Sequence, residues 1–253
     1  MKKITPIYNS ITLFIVLGTL LSCSGTGSRF PMEKRFWTPE DYENVFREIR
    51  FNTPEGERFP ELKNPETSTI FKKLVDRDNF EAVLGDDQLG INHRNNVASD
   101  FFNVFRQFTE LYYKTDRQDK FVYGRELIEI YKFGLDLQIY YFKIGNDNIL
   151  KEADDPSSSS VKNVIASNVK TVYKNFNNYL DYTNNESGFS EDAIIAYCEG
   201  LDNAFPKLFE TFPSGNPNIT KKKAELMYKK AQNDKLKNSL QKLLDNIAEL
   251  QSI

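Results

Sequence analysis

The sequence predicts an all-α fold, a single-domain helical bundle around one central hydrophobic helix at about 121–144. Three observations predict it. Apolar residues recur at the 3.6-residue helical period through most of the chain, whereas alternation at period 2 is scarce. Helix-start signals precede several of these periodic runs. In the segment at about 121–144, Arg125, Glu129, Lys132, Asp136 and Lys143 share one narrow stripe, and nearly all the rest is Leu, Ile, Tyr or Phe. A helix that is apolar around most of its circumference has to be surrounded by protein, so it is expected at the hub.

Taken in order, residues 1–22 form an export signal. Lys2 and Lys3 precede the apolar run 11–21, which is too short for the ~20 residues of a membrane-spanning helix. The run ends Leu20-Leu21-Ser22-Cys23, similar to a bacterial lipobox in which Cys23 becomes the lipidated N-terminus. Several acyl chains, each contributing about 0.8 kcal/mol per buried CH₂, would hold the protein at a bilayer surface. Residues 23–36, with Ser-Gly-Thr-Gly-Ser after the cysteine, lack periodicity and read as a tether, leaving 37–253 as the α-helical domain. Gly25-Thr26-Gly27 is no phosphate loop, because no strand precedes it and no Lys-Ser/Thr pair follows. The domain opens on a cap at Thr38, Pro39 at the first helical position and Asp41 three residues after the cap, with Trp37 and Tyr42 spaced as a hydrophobic staple.

An irregular stretch at 51–63 separates that helix from two short ones near 67–76 and 79–84. From Val97 to Tyr112, Phe101, Phe105, Phe108, Leu111 and Tyr112 share a face opposite Asn103, Arg106, Gln107 and Glu110. The hub helix follows. A further amphipathic helix at about 160–182 directs Val161, Val164, Ile165, Val169, Val172, Phe176 and Leu180 inward. Phe189, Ser190 and Ile194 supply staple and cap for a helix in which Pro206 should introduce a kink or a split. In the segment 220–250 the apolar faces fall out of register between Ala231 and Leu236. That predicts a kink near 232–234 or two halves docking on different neighbours.

Chemistry is sparse. Loss of Lys2 and Lys3 leaves 31 basic against 36 acidic residues, a net charge of −5, which disfavours a nucleic-acid partner. With Cys23 acylated, Cys198 is the only thiol, so no intramolecular disulfide forms. His93 is the only histidine and falls in a polar stretch, 90–96, read as a loop. No zinc-site, H-E-x-x-H, G-x-S-x-G or P-loop pattern occurs, so no catalytic residue, metal ligand or cofactor is predicted. Cys198 lies on an apolar helix face, where a thiol behaves as a small buried hydrophobe rather than a nucleophile paired with His93. Asp86-Asp87 and Asp154-Asp155 lack the ligand spacing of a calcium loop and read as solvated turns. Two features carry binding hypotheses. Gly134 and Gln138 interrupt the apolar side of the hub, either as a close helix crossing with Gln138 hydrogen-bonded or as a ligand pocket. No Lys or Arg occurs between Lys174 and Lys207, and the terminal segment then gathers Lys221, Lys222, Lys223, Lys229, Lys230, Lys235, Lys237 and Lys242. These lysines are either solvated helix faces, packed beside the acidic segment, or a cationic stripe for sulfated glycans or acidic proteins.

The Lys-rich signal ending Leu-Leu-Ser-Cys, the short tether, the Asn/Lys-rich helical body without disulfides and the Lys-rich terminal helix together resemble the outer-surface lipoproteins of Lyme and relapsing-fever Borrelia. The segments 176–182 (Phe-Asn-Asn-Tyr-Leu-Asp-Tyr) and 200–208 (Gly-Leu-Asp-Asn-Ala-Phe-Pro-Lys-Leu) are similar to stretches of one of their plasmid-rich paralogous families. The resemblance implies lipid-anchored display on the outer membrane at the cell surface, a helical bundle and non-enzymatic contact with a host or tick protein or glycan. It transfers no binding residue. The alternative expectation is a periplasm-facing lipoprotein that binds a small ligand or supports the envelope. Exposed apolar residues on the terminal helix would argue for a homodimer.

Overall fold

The first helix begins where the cap signals place it. In the computed structural model, which describes residues 29–86, 88–118 and 121–251, α1 spans Pro39–Asn52. The Thr38 hydroxyl accepts from the Asp41 amide, and the Asp41 carboxylate accepts from the Thr38 amide at 3.0 Å, a reciprocal capping box. Burial raises the Asp41 carboxyl, but the hydrogen bonds from Lys34 and Thr38 outweigh it and hold the group below the usual carboxylate range. The staple is also present, with the Trp37 and Tyr42 rings edge to face at 5.6 Å. The tether is shorter than the sequence suggests. Phe30 is buried, Arg29 pairs with Glu48 at 2.7 Å, and the Trp37 indole N–H donates to the Pro31 carbonyl. The export signal 1–22 and Cys23 lie outside the described residues.

Two short helices follow, α2 (Ser68–Leu74) and α3 (Asp78–Leu84). Then comes α4 (Ile91–Gln118). It starts one residue after Gly90, so His93 sits exposed in a first helical turn and not in a loop. Nothing in 91–96 breaks a helix, and Arg94, buried, anchors that turn by donating to the Asp86 carbonyl at 2.8 Å. Phe101, Val104, Phe108 and Tyr112 form its buried face, with Phe105 and Leu111 half-buried on its flanks.

The hub is α5 (Gly124–Glu152), extending past the expected end at 144. Leu127, Ile128, Ile130, Phe133, Leu135, Leu137 and Ile139 are buried around its circumference against α4, α6 (Ser159–Leu180) and α7 (Glu191–Thr211). A 3₁₀ segment, Asp181–Gly188, links α6 to α7. The first turns of α6 run past the bundle edge, which leaves Val164 exposed instead of inward. α7 passes through Pro206 without splitting. The chain ends in α8 (Asn218–Lys230) and α9 (Asp234–Gln251). Among the described residues there are nine α-helices and no strand. α1 and α3 pack on α4, while α8 packs on α6 and α9 on α7.

One buried carboxylate escapes the stripe drawn from sequence. Glu126 is 3% exposed and accepts from the Leu62 amide at 2.7 Å. Burial pushes its carboxyl above the ordinary value of 4.5, and the Leu62 hydrogen bond only partly opposes this. A raised folded-state pKa favours folding while the group is protonated, and that contribution is lost as pH rises through the shifted value. Glu126→Gln keeps an acceptor for Leu62 and removes the charge. The variant is expected to be more stable than the parent at pH 7, with the gap closing below about pH 4.5. Urea midpoints across this range check it; a gap that widens on acidification contradicts the assignment.

Candidate functional site

The lysine-rich segment folds as a hairpin of two helices. Asn216 turns the chain into α8, its side chain accepting from the Asn218 amide at 2.9 Å. The helix ends at Ala231, which is buried and extended (ψ 137°). Asn233 restarts the chain, its side chain accepting from the Leu236 amide at 3.1 Å. The two helices run antiparallel, since Gln251 at the end of α9 donates to Asn218 at the start of α8. Thus the predicted kink is a full reversal. The out-of-register faces each find a neighbour: Thr220, Ala224 and Met227 face α6, and Leu236, Leu240, Leu243 and Ile247 face α7.

The eight lysines do not form one stripe. Lys223 is held by both Asp181 oxygens, at 2.6 and 2.7 Å, and donates to the Asn177 carbonyl. Lys242 pairs with Asp202 at 3.5 Å. Lys221 reaches the Gln251 side chain at 3.3 Å. These three join the hairpin to itself and to the acidic segment, as the solvated-face reading anticipates. Lys222, Lys229, Lys230, Lys235 and Lys237 make no ion pair among the described residues. Of these, Lys229 and Lys230 close α8 while Lys235 and Lys237 open α9. The reversal therefore collects four cations at one tip. At the end of α8 the helix dipole favours them, whereas in the first turn of α9 it opposes Lys235. Leu226 is 58% exposed and Tyr228 37% exposed on the same hairpin.

At Gly134 the close crossing is present: a Cβ there would lie 2.3 Å from the Phe105 ring of α4. The polar partner expected for Gln138 is missing. Its Oε1 is buried with no hydrogen-bond donor among the described residues, beside a cavity of about 250 Å³ bounded by Phe105, Tyr131, Asn175 and Tyr179. Close crossing and small pocket thus coexist at this position. A larger groove, lined by Lys170 and Lys174 of α6, was not legible beforehand. Its only trace in the sequence is a pair of lysines four apart, flanking the apolar positions 169 and 173.

Other candidate chemistry resolves into structure. Cys198 is buried in α7, whereas His93 is exposed on α4. Asp155 caps its own turn, accepting from the Ser157 amide at 2.9 Å and its hydroxyl at 2.6 Å. Asp86 does the same for the Gln88 amide, and Asp87 lies outside the described residues. Among the described residues, no three His, Cys, Asp or Glu side chains converge as a metal site, and no helix is long and apolar enough to cross a membrane. The fold and this surface define an all-α helical bundle closed by a basic antiparallel hairpin. No protein-family model, curated protein or solved structure matches the chain.

Proposed function

We propose that this is a lipid-anchored, non-enzymatic protein of the outer-membrane surface that binds an acidic host or vector macromolecule, protein or glycan, in adhesion or immune evasion. The observation that carries this reading is the tip of the α8–α9 hairpin, where Lys229, Lys230, Lys235 and Lys237 make no ion pair among the described residues. The mature chain is net acidic, so four unpaired lysines at one tip are a local reversal of sign suited to an anionic partner. Residues 29–37 join the corner of α1 and α3, whereas the hairpin packs on α6 and α7. The lipobox-like Leu20-Leu21-Ser22-Cys23 and the likeness to Borrelia surface lipoproteins support the location.

Changing the four tip lysines to Glu is expected to weaken binding to immobilised heparan sulfate, or to a partner retained from serum or tick gut, by at least about ten-fold. Parental binding should also weaken as salt is raised. Retention of full affinity by the variant would move the site off the hairpin. The second reading, a periplasm-facing lipoprotein with a small ligand, is favoured by the unpartnered Gln138 Oε1 beside its cavity. Protease treatment of intact cells separates the two, because only a surface-displayed protein is shaved. The exposed Leu226 and Tyr228 also suit a homodimer, which sedimentation of Leu226→Asp beside the parent would reveal.

A further inference from the structure

One face of α6 carries Ala166, Val169, Lys170, Tyr173 and Lys174 at intervals of three and four residues, and it borders a groove of about 640 Å³. This volume lies within the range of small-molecule sites, roughly 300–1,000 Å³. Val169 and Tyr173 form its buried floor. Across from them, Ile219 in the first turn of α8 is 63% exposed and adds an apolar wall to the groove. One end is closed by the 214–216 loop, which lies so close to Tyr173 that a Cβ at Gly215 would meet its ring at 2.0 Å. Toward the other, Thr220 donates to Asn177 at 2.9 Å and Lys223 is neutralised by Asp181.

The rim is cationic and unbalanced. Lys170 and Lys174 are exposed, make no ion pair among the described residues, and have no Asp or Glu beside them in the lining. Like charges four residues apart disfavour their own helix, a cost that an anion held between them would remove. A neutral hydrophobe would cover Ile219 and leave the lysines unmatched; a small soluble anion would match the lysines and leave Ile219 uncovered. From this combination we infer that the α6–α8 groove binds a single-chain amphiphile with an acidic head, its chain along Val169, Tyr173 and Ile219 and its head between Lys170 and Lys174. The site is independent of the hairpin tip, so charge reversal at one leaves the other intact.

The test titrates three probes calorimetrically into the full chain carrying Cys23→Ser, which blocks acylation. The probes are palmitate, palmitoyl-lysophosphatidate and hexadecanol, the first two separating a free fatty acid from a lysolipid source of the same chemistry. Saturable one-to-one binding is expected for at least one acid, at least about ten-fold tighter than for hexadecanol. Lys170→Glu with Lys174→Glu should erase that preference, and Ile219→Asp should weaken the bound acid by a similar factor. All three positions are exposed or at the rim, and circular dichroism confirms that the variants fold. Failure of both acids to bind, a preference that survives charge reversal, or adsorption to vesicles without binding of the monomeric probes would each overturn the inference.

Discussion

Replacing Asn79 with alanine is expected to remove about 3 kcal/mol or more of folding free energy, a large share of the roughly 5–15 kcal/mol typical of a domain. Asn79 is fully buried. Its Oδ1 accepts from the Trp37 amide at 2.7 Å, and its Nδ2 donates to the Tyr42 hydroxyl and the Lys73 carbonyl, each at 2.7 Å. Tyr42 in turn donates to the Leu74 carbonyl at 2.5 Å. One amide side chain therefore joins the residues before α1, α1 itself and the end of α2. Alanine would strand the Trp37 N–H in a dry core and leave the Lys73 carbonyl with only the Asp76 amide at 3.4 Å. Each buried group left unsatisfied costs about 1–3 kcal/mol. Urea unfolding measures the total. Emission from Trp37, the sole tryptophan, reports whether the loss starts at this corner. Asn52→Ala, which removes only an exposed bond to Glu48, serves as the control and should change stability by less than about 0.5 kcal/mol. Equal effects from the two substitutions would show that the Asn79 network carries no weight.

This corner also marks where sequence reasoning stops. Thr38, Pro39 and Asp41 are legible because capping is local, and Trp37 with Tyr42 is legible because a staple spans five residues. Asn79 is not, since its partners lie 42, 37 and 6 residues away and an Asn at a helix start reads as an ordinary turn residue. The hub is legible because all-round apolarity has one physical solution. Its buried Glu126 is not, because a carboxylate in sequence looks solvated until a backbone amide from 64 residues away meets it.

The binding surfaces divide in the same way. The lysine count of the terminal segment is read directly, but which lysines are already neutralised depends on Asp181 and Asp202 arriving from the 3₁₀ segment after α6 and from α7. The reversal at 231–233 converts a linear run into a tip, and only a break in the apolar register hints at it. The α6–α8 groove needs two elements and a loop to exist. Each lysine on its rim reads alone as a solvated residue.

Gly200→Ala is expected to destabilise by about 2 kcal/mol, whereas Gly145→Ala is expected to stabilise by about 0.5–1 kcal/mol. Both glycines are helical, in α7 and α5, so alanine gains about 1 kcal/mol of intrinsic propensity at each. The difference lies in what the new methyl meets. At Gly145 nothing lies within 4 Å. At Gly200 the Cβ would come 2.0 Å from the Tyr179 hydroxyl oxygen and 2.8 Å from its ring carbon. Tyr179 cannot simply swing aside, because it is buried, donates to the Tyr197 carbonyl at 2.9 Å and stacks on the Tyr197 ring at 4.8 Å. Tyr197 returns the bond to the Leu180 carbonyl at 3.0 Å, so the pair locks α6 to α7. Overpacking costs about 1–3 kcal/mol and the broken hydrogen bond about 1 kcal/mol more, together exceeding the propensity gain. The same geometry predicts coupling. Tyr179→Phe removes the oxygen that the methyl strikes, so the double variant should be more stable than the sum of the single changes by about 1 kcal/mol. Strict additivity in that cycle would mean that the two helices move apart instead of straining the tyrosine, and that α6 and α7 are joined more loosely than the reciprocal pair implies.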